Sequence, residues 1–213
     1  MSQSKYEGKE ITVQFNGQRC IHARNCVMTL PQVFEANAPG PWIHPDANPA
    51  DQLAGMIVTC PSGALTFERS DGGWEEAAPE VNTARVLENG PVAIRGELTI
   101  DGVKEGFRAT LCRCGASRNK PFCDGSHKAI DFKASGEPAT QESEPLDTRD
   151  GELKIKGAKN GPLKVDGNLE LLSGTGRTIN RVNKRVFLCR CGASANKPYC
   201  DGSHNRIGFN SEE

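Results

Sequence analysis

Apolar and polar residues alternate in short runs along most of the chain, a pattern that predicts β-strands. In the first third, Ile11–Phe15 is predicted as one strand and Ala64–Arg69 as a returning strand. Two helices are predicted between them, Asn25–Leu30 and Pro49–Thr59, the second with apolar residues at helical spacing. No apolar run approaches the ~18 residues that a membrane-spanning helix needs. We therefore expect an α+β fold at the N-terminus and no membrane segment.

The rest of the chain contains an internal repeat. Residues 112–127, CRCGASRNKPFCDGSH, match residues 189–204, CRCGASANKPYCDGSH, at 14 of 16 positions, and residues 89–98 match residues 160–169. Three strands are predicted to lead into each motif: Pro91–Ile94, Leu98–Ile100 and Phe107–Leu111, then Pro162–Val165, Leu169–Leu172 and Arg185–Leu188. Two similar units of this kind indicate the duplication of one small β-rich module.

Composition suggests where the modules begin and end. We expect an N-terminal domain at residues 1–75, a first repeat at 84–135 and a second repeat at 151–213. Residues 136–150 are polar, acidic and contain prolines, which is typical of a linker. The second repeat carries about six additional residues ahead of its motif, within Ser173–Arg181.

The net charge argues against one class of function, and the charges are unevenly distributed along the chain. The formal net charge is −1, which argues against broad nucleic-acid binding. Residues 1–83 hold five basic and ten acidic side chains, and residues 151–213 hold eleven and six. These opposite charges could attract each other or different partners. The first fifteen residues have no apolar stretch typical of a secretory signal, so we expect a cytoplasmic protein, where cysteines serve metals or redox chemistry.

The nine cysteines form three groups of three. Two groups share the pattern C-x-C-x8-C-x3-H, and their candidate ligands are Cys112, Cys114, Cys123 and His127, then Cys189, Cys191, Cys200 and His204. Three thiolates and one imidazole make a complete four-ligand set. Such a set also suits structural zinc, but zinc sites usually bring their first pair as C-x2-4-C. The C-x-C pair in a glycine-rich loop favours iron–sulfur chemistry.

Residues beside these ligands have predicted roles. Gly115 and Gly192 are expected to let the chain turn directly after the second ligand. Asp124 and Asp201 are expected to be N-caps of short helices that carry each histidine in the first turn. Four basic residues are expected to be mostly solvated: Arg113, Lys120, Arg190 and Lys197.

The motif C-x-C-x2-S-x3-P-x-C-D-G-S-H resembles the signature of the CDGSH iron–sulfur, or mitoNEET-like, family, with Ser117 and Pro121 at the matching positions. The resemblance implies a [2Fe–2S] cluster in each motif, with two cysteines on one iron and a cysteine and a histidine on the other. It also implies a β-rich cap over a cluster-binding subdomain. Because members with one motif form dimers, residues 84–213 are expected to fold together around a pseudo-two-fold axis.

The histidine is expected to be the weakest of the four ligands in each cluster site. An imidazole ligand must be deprotonated, so cluster binding is linked to pH. Replacing a thiolate by histidine also raises the reduction potential. Our hypothesis is that His127 and His204 let each cluster be reduced with a proton, or be released on acidification.

The third group consists of Cys20, Cys26 and Cys60, with Pro61 next. Bacterial ferredoxins use C-x2-C-x2-C followed by a remote Cys-Pro, and here Ala23 stands at the second cysteine position. Residues 11–67 resemble the divergent mono-cluster ferredoxins, which implies an α+β ferredoxin fold. Three thiolates suit a [3Fe–4S] cluster, or a [4Fe–4S] cluster with a fourth ligand from water, hydroxide or a side chain. His22 is the candidate side chain, but a surface position or a hydrogen bond to a cluster sulfur is favoured for it over ligation. A zinc site of three cysteines and His22 stays open.

No P-loop, nucleophile elbow or HExxH motif is present, so we do not expect an enzyme. We expect an electron-transfer protein whose partner is a redox protein, monomeric, with its two CDGSH motifs paired within the chain. The alternative is cluster storage, sensing or transfer to apo-proteins. A zinc-stapled interaction module is a third interpretation. No nucleic acid or membrane is expected as a partner.

Overall fold

A computed structural model of the protein describes residues 3–212, and their contacts divide into two units between Ala77 and Ala78. Within residues 3–212, no helix is both long and apolar enough to cross a membrane.

The N-terminal unit is a three-stranded antiparallel sheet with two helices between its last two strands. The elements are β1 (Gln3–Glu7), β2 (Ile11–Asn16), α1 (Asn25–Thr29), α2 (Ala50–Ile57) and β3 (Leu65–Arg69). The two predicted strands and two predicted helices are confirmed. Strand β1 was not predicted, because its mostly exposed polar residues carry no apolar alternation. Val13 from the sheet packs with Leu53 and Ile57 of α2 in one fully buried core.

The second unit contains ten strands and two one-turn helices among its described residues. The first repeat forms β4 (Thr83–Val86), β5 (Val92–Arg95), β6 (Glu97–Ile100), β7 (Val103–Lys104), β8 (Arg108–Leu111) and α3 (Ser126–Ala129). The second forms β9 (Glu152–Gly157), β10 (Leu163–Asp166), β11 (Leu169–Leu172), β12 (Thr178–Val182), β13 (Arg185–Leu188) and α4 (Ser203–Arg206). The three strands predicted for each repeat are confirmed, and each repeat has two further strands.

The two repeats exchange hairpins. One sheet has the order β13-β10-β9-β6-β7 and the other β12-β11-β4-β5-β8. Each sheet therefore holds three strands of one repeat and two of the other, joined by the parallel pairs β6–β9 and β4–β11. Neither repeat forms a complete sheet from its own strands. Both repeats therefore contribute strands to the same two sheets of one compact unit.

One hydrophobic core serves both repeats. Ile94 and Leu111 of the first repeat are fully buried in the same cluster as Ile155, Leu163 and Leu171 of the second. Because these side chains come from both sheets, losing either repeat would expose the apolar face of the other. The core is therefore shared, and the two repeats are expected to unfold together.

Asn82 joins the repeats where β4 begins. Its Nδ2 donates to the carbonyl oxygens of Gly151 at 2.9 Å and Asn168 at 3.0 Å, both in the second repeat. Its backbone N–H donates to Arg149 O and its carbonyl accepts from Glu170 N. Asn82 is 1% exposed, so these bonds form in the interior, where an unmade bond is costly.

Residues 136–150 contain no helix or strand, but they are bonded along the second repeat. Gln141 N donates to Ile179 O at 2.8 Å, and Arg181 N donates to Ser143 Oγ at 3.0 Å. Gly174 N donates to Gly136 O at 2.7 Å. The segment therefore follows the β11–β12 hairpin, whose turn and second strand are both longer than those of the β6–β7 hairpin in the first repeat.

Candidate metal centres

The first C-x-C pair lies directly after β8. Cys112 Sγ and Cys114 Sγ are 3.8 Å apart. Two sulfurs bound at about 2.3 Å to one tetrahedral ion are about 3.8 Å apart, so the pair has the spacing for two ligands of a single metal ion. Cys112 N donates to Pro121 O at 2.8 Å, which ties the pair to the returning loop.

The second pair of the first repeat consists of Cys123 and His127. Cys123 N donates to Thr110 O at 2.9 Å, which fixes the cysteine against β8. His127 is the second residue of α3, and its Nδ1 lies 3.4 Å from Cys123 Sγ. The predicted placement of the histidine in the first helical turn is confirmed. Each CDGSH loop, residues 112–127 and 189–204, thus presents its donors as two pairs.

The second repeat reproduces this arrangement. Cys189 Sγ and Cys191 Sγ are 3.9 Å apart, and Cys200 Sγ is 3.4 Å from His204 Nδ1. Paired donors of this kind fit a two-iron cluster, in which each iron takes two protein ligands. Within residues 3–212, no three Cys, His, Asp or Glu side chains are grouped so that they could hold one metal ion.

The expectation that Asp124 and Asp201 are helix N-caps is wrong. The caps are Gly125 (φ 89°) and Gly202 (φ 84°), without side-chain cap bonds. Each aspartate instead bridges its own loop, since Asp201 accepts from Ser203 N at 2.9 Å and from Ala195 N at 2.8 Å. These N–H donors hold the pKa of the Asp201 carboxyl well below its usual range.

The serine of the motif also holds the loop. Ser117 is 1% exposed, and its Oγ donates to Phe122 O at 2.6 Å and accepts from Asn119 N at 3.0 Å. Ser194 makes the equivalent bonds to Tyr199 O and from Asn196 N. The hydroxyl therefore fixes the chain between the second and third cysteines.

The two CDGSH loops touch at the pseudo-two-fold axis. Cys114 and Cys191 form an isolated antiparallel bridge. Gly115 has φ 85°, and a Cβ there would lie 2.7 Å from Cys191 O; at Gly192 (φ 82°) it would lie 2.6 Å from Cys114 O. The expected turns at both glycines are confirmed, and the close approach adds a second reason for glycine.

Arg113 and Arg190 are not solvated as expected but are 1% and 4% exposed. Both guanidinium groups turn inward and donate to backbone carbonyls. Lys197 is half-buried, and its Nζ donates to Ser194 O at 2.5 Å, while Lys120 Nζ lies 6.0 Å from the Phe209 ring centre. Sequence alone gives no signal for the arginines, because their carbonyl partners lie more than twenty residues away along the chain.

The thiols of the first loop have perturbed proton affinities. The thiols of Cys112 and Cys114 are hydrogen-bonded, and this hydrogen bond lowers the pKa of the Cys112 thiol to about 6. Burial raises the pKa of the Cys123 thiol to about 11. Burial and the charge of Lys128 lower the pKa of His127. A neutral imidazole and thiolates are the forms that bind metal, so the lowered pKa of His127 favours binding, whereas Cys123 and Cys114, whose pKa the bond to Cys112 raises, must each lose a proton.

The three N-terminal cysteines line one cavity together with Phe15 and Trp42. Cys20 follows a 3-10 turn, Cys26 lies on α1, and Cys60 follows α2. Burial raises the pKa of the Cys26 thiol, with smaller contributions from the charges of Cys60 and Cys20. The sequence-predicted trio is therefore brought to one place.

The described lining of this cavity includes Ser62 but not His22. Ile21 and Ala23 line the cavity, whereas His22 is exposed and not among the described lining residues. Ser62 also lines it, is 2% exposed, and places its Oγ 3.6 Å from Cys60 Sγ. Ser62 was not predicted from the sequence, although it lies two residues after the candidate ligand Cys60.

Comparisons with known families agree with this division of the sites. The model of a family described as a divergent 4Fe-4S mono-cluster matches residues 6–70. The model described as an iron-binding zinc finger of CDGSH type matches residues 89–128 and 160–205. The chain joins a divergent 4Fe-4S mono-cluster domain to two CDGSH segments. It is an iron–sulfur-binding protein.

Two bacterial proteins are similar to part of the chain. The uncharacterized protein YjdI of Escherichia coli strain K12 is 40% identical over 62 residues, which cover 29% of this chain and 80% of YjdI. YjdI of Escherichia coli O157:H7 matches to the same extent. This chain therefore belongs to the same family as YjdI.

Proposed function

We propose that the protein transfers electrons, with a [2Fe–2S] cluster in each CDGSH loop and a [3Fe–4S] or [4Fe–4S] cluster in the N-terminal cavity. The observation that carries the proposal is the pairing of donors: 3.8 Å between Cys112 and Cys114 and 3.4 Å between Cys123 and His127, repeated in the second loop. Bound clusters of these types supply reversible one-electron reduction.

The chain's own residues would hold the clusters and limit their exposure. Cys112, Cys123 and Cys189 are buried, while Cys114 and His127 are half-buried. Partial exposure at one side of a buried site suits electron exchange with a docked redox protein. We include in the proposal that the protein is a monomer in a reducing cytoplasm, takes a redox protein as its partner, binds neither nucleic acid nor membrane, and has no enzymatic activity of its own.

A second candidate function is storage, sensing or transfer of clusters to apo-proteins. The half-burial of both His127 and His204 favours it, because a proton from solvent can reach the imidazole and compete with iron. Electron transfer requires the clusters to stay bound through each cycle, whereas delivery requires them to leave.

One set of measurements distinguishes the candidates. Mössbauer spectroscopy with iron and sulfide counts on anaerobically purified protein should give two [2Fe–2S] clusters and one larger cluster. Zinc without sulfide would contradict both candidates and support a zinc-stapled module. Reduction and reoxidation with full retention of iron supports electron transfer, and rapid movement of iron and sulfide to an apo-ferredoxin supports delivery.

A further inference from the structure

Arg113 stands between two cluster ligands in the sequence, and its side chain points into the protein. Nε donates to Gly90 O at 2.8 Å, Nη1 to Ser135 O at 3.1 Å, and Nη2 to Leu87 O at 2.6 Å and Ala134 O at 3.1 Å. The residue is 1% exposed. Its hydrogen bonds are thus satisfied, but by neutral carbonyl groups.

Arg190 has the same position in the second loop. Nε donates to Gly161 O at 3.0 Å and Nη2 donates to Ala158 O. The guanidinium carbon lies 5.5 Å from the centre of the Phe209 ring. A Cβ on Gly157 would lie 2.5 Å from its Nη1, so the pocket is closely packed. Both loops therefore enclose a guanidinium group.

Neither guanidinium has a carboxylate partner. Among residues 3–212, no carboxylate oxygen is within 4.0 Å of Arg113 or Arg190. A buried cation without a nearby anion is costly, and proteins rarely keep one unless another negative charge compensates it. The anionic groups whose charge acts on the two guanidinium groups are ligand thiolates, together with Glu88 for Arg113 and Asp101 for Arg190.

The electrostatic environment links each arginine to both loops. Burial lowers the pKa of Arg113 to about 10, opposed by the negative charges of Cys189, Glu88 and Cys114. Burial also lowers the pKa of Arg190, opposed by Asp101, Cys112 and Cys191. The charge of one thiolate of its own loop and of one thiolate of the opposite loop thus acts on each guanidinium, Cys114 and Cys189 on Arg113, and Cys191 and Cys112 on Arg190.

We propose that Arg113 and Arg190 are internal counter-cations shared by the two CDGSH clusters, each raising the reduction potential of both. The proposal rests on the proposed [2Fe–2S] occupancy. Reduction adds one negative charge to a cluster, and a fixed cation in a poorly solvated site stabilises that charge. The bridge between Cys114 and Cys191 places both loops within reach of each arginine.

The test removes the charge from one arginine at a time. Arg113→Gln and Arg190→Gln should each reduce the equilibrium constant for one-electron reduction about tenfold at both clusters. This change lowers each reduction potential by about 59 mV. Arg113→Lys and Arg190→Lys keep the positive charge and should change both reduction potentials far less. Lys104→Gln is the control for net charge, because Lys104 is 79% exposed, and it should leave both potentials unchanged. Anaerobic redox titration followed by visible and EPR spectra measures each variant.

The two clusters are distinguished in a His204→Cys background, where the second cluster has its own spectrum. Arg113→Gln should still shift that second cluster. Loaded glutamine variants with unshifted potentials would overturn the counter-cation proposal while leaving the cluster assignment intact. A shift confined to the arginine's own loop would overturn the sharing.

Failure to load is also informative. Glutamine variants that lose their clusters while the lysine variants keep them would support the need for positive charge. Loss of the clusters in both the glutamine and the lysine variants would overturn the need for positive charge. Cluster loading would then depend on the hydrogen bonds from the guanidinium to the carbonyl groups. Zinc in the wild-type protein would overturn this proposal and the proposed function together, and iron and sulfide counts identify that case.

Discussion

Cys114 and Cys191 pair with each other in an antiparallel bridge, although 77 residues separate them in the chain. Each is a candidate ligand, so the two metal sites touch through their own ligand loops. A disturbance at this contact should reach both sites. The duplication therefore produced one double centre, and not two independent modules.

Gly115→Ala tests this contact. The new Cβ would lie 2.7 Å from Cys191 O, in a residue at φ 85°. Gly102 is a matched control, since its φ is 86° and nothing lies within 4 Å of its Cβ position. Gly102→Ala should cost about 1–2 kcal/mol from backbone strain alone. Gly115→Ala should cost more in thermal unfolding and lower the iron content of both sites. Equal effects of the two substitutions would show that the contact is not restrictive.

Asn82→Ala tests the junction between repeats. The change removes two buried donors and leaves the carbonyls of Gly151 and Asn168 without them. The free energy of unfolding in denaturant should fall by about 2 kcal/mol. Asn168→Ala is the control, because within residues 3–212 its side chain bonds only to Thr148 at an exposed site, and it should cost less than about 0.5 kcal/mol. A smaller loss for Asn82→Ala than for this control would contradict the role of the junction.

Ala23→Cys tests the incomplete N-terminal site. Ala23 lines the cavity with the three cysteines, so a thiol there should complete a four-cysteine site and raise the fraction of [4Fe–4S] in Mössbauer spectra. His22→Ala should leave the cluster content unchanged, because His22 is exposed outside the described lining. Loss of iron in His22→Ala would restore the histidine as a ligand. Thr29→Cys adds a thiol at the end of α1, away from the cavity lining, and serves as the control.

Local patterns in the sequence predicted much of this structure. The strands next to the cysteines carry regular apolar alternation, and the ligand residues form an unusual spacing, so both are legible without coordinates. Strands β4, β7, β9 and β12 were missed, and of these only β7, with two residues, is too short to show an alternation. The pairing of repeats followed from resemblance, but no residue pattern specifies that β6 pairs with β9.

The prediction that failed most clearly was that Arg113 and Arg190 are solvated. Arginine is usually exposed and seldom fully buried, so Arg113 and Arg190 were expected at the surface. Their burial depends on carbonyl groups from distant segments, such as Gly90 O for Arg113 and Gly161 O for Arg190. Such partners are defined only by the tertiary fold. The aspartate caps failed for a similar reason, since each carboxylate is engaged by an N–H six residues earlier in its loop.

The histidine ligands predict acid sensitivity. The pKa of His127 is lowered in the folded protein, by burial and by Lys128, so the folded state holds its neutral form more strongly than the unfolded state does. Stability from this group is present above the unfolded pKa of about 6.5 and is lost as pH falls through the lower folded pKa. Metal binding changes in the same direction, because a proton on the imidazole displaces the ion. Visible absorbance should therefore decay faster at about pH 5.5 than at pH 8. His127→Cys should slow the decay at the first site and leave the second site acid-sensitive, with His44→Gln as the control for an exposed histidine outside these loops. Decay that is independent of pH, or equally fast in His127→Cys, would contradict the assignment of the imidazole as the labile ligand.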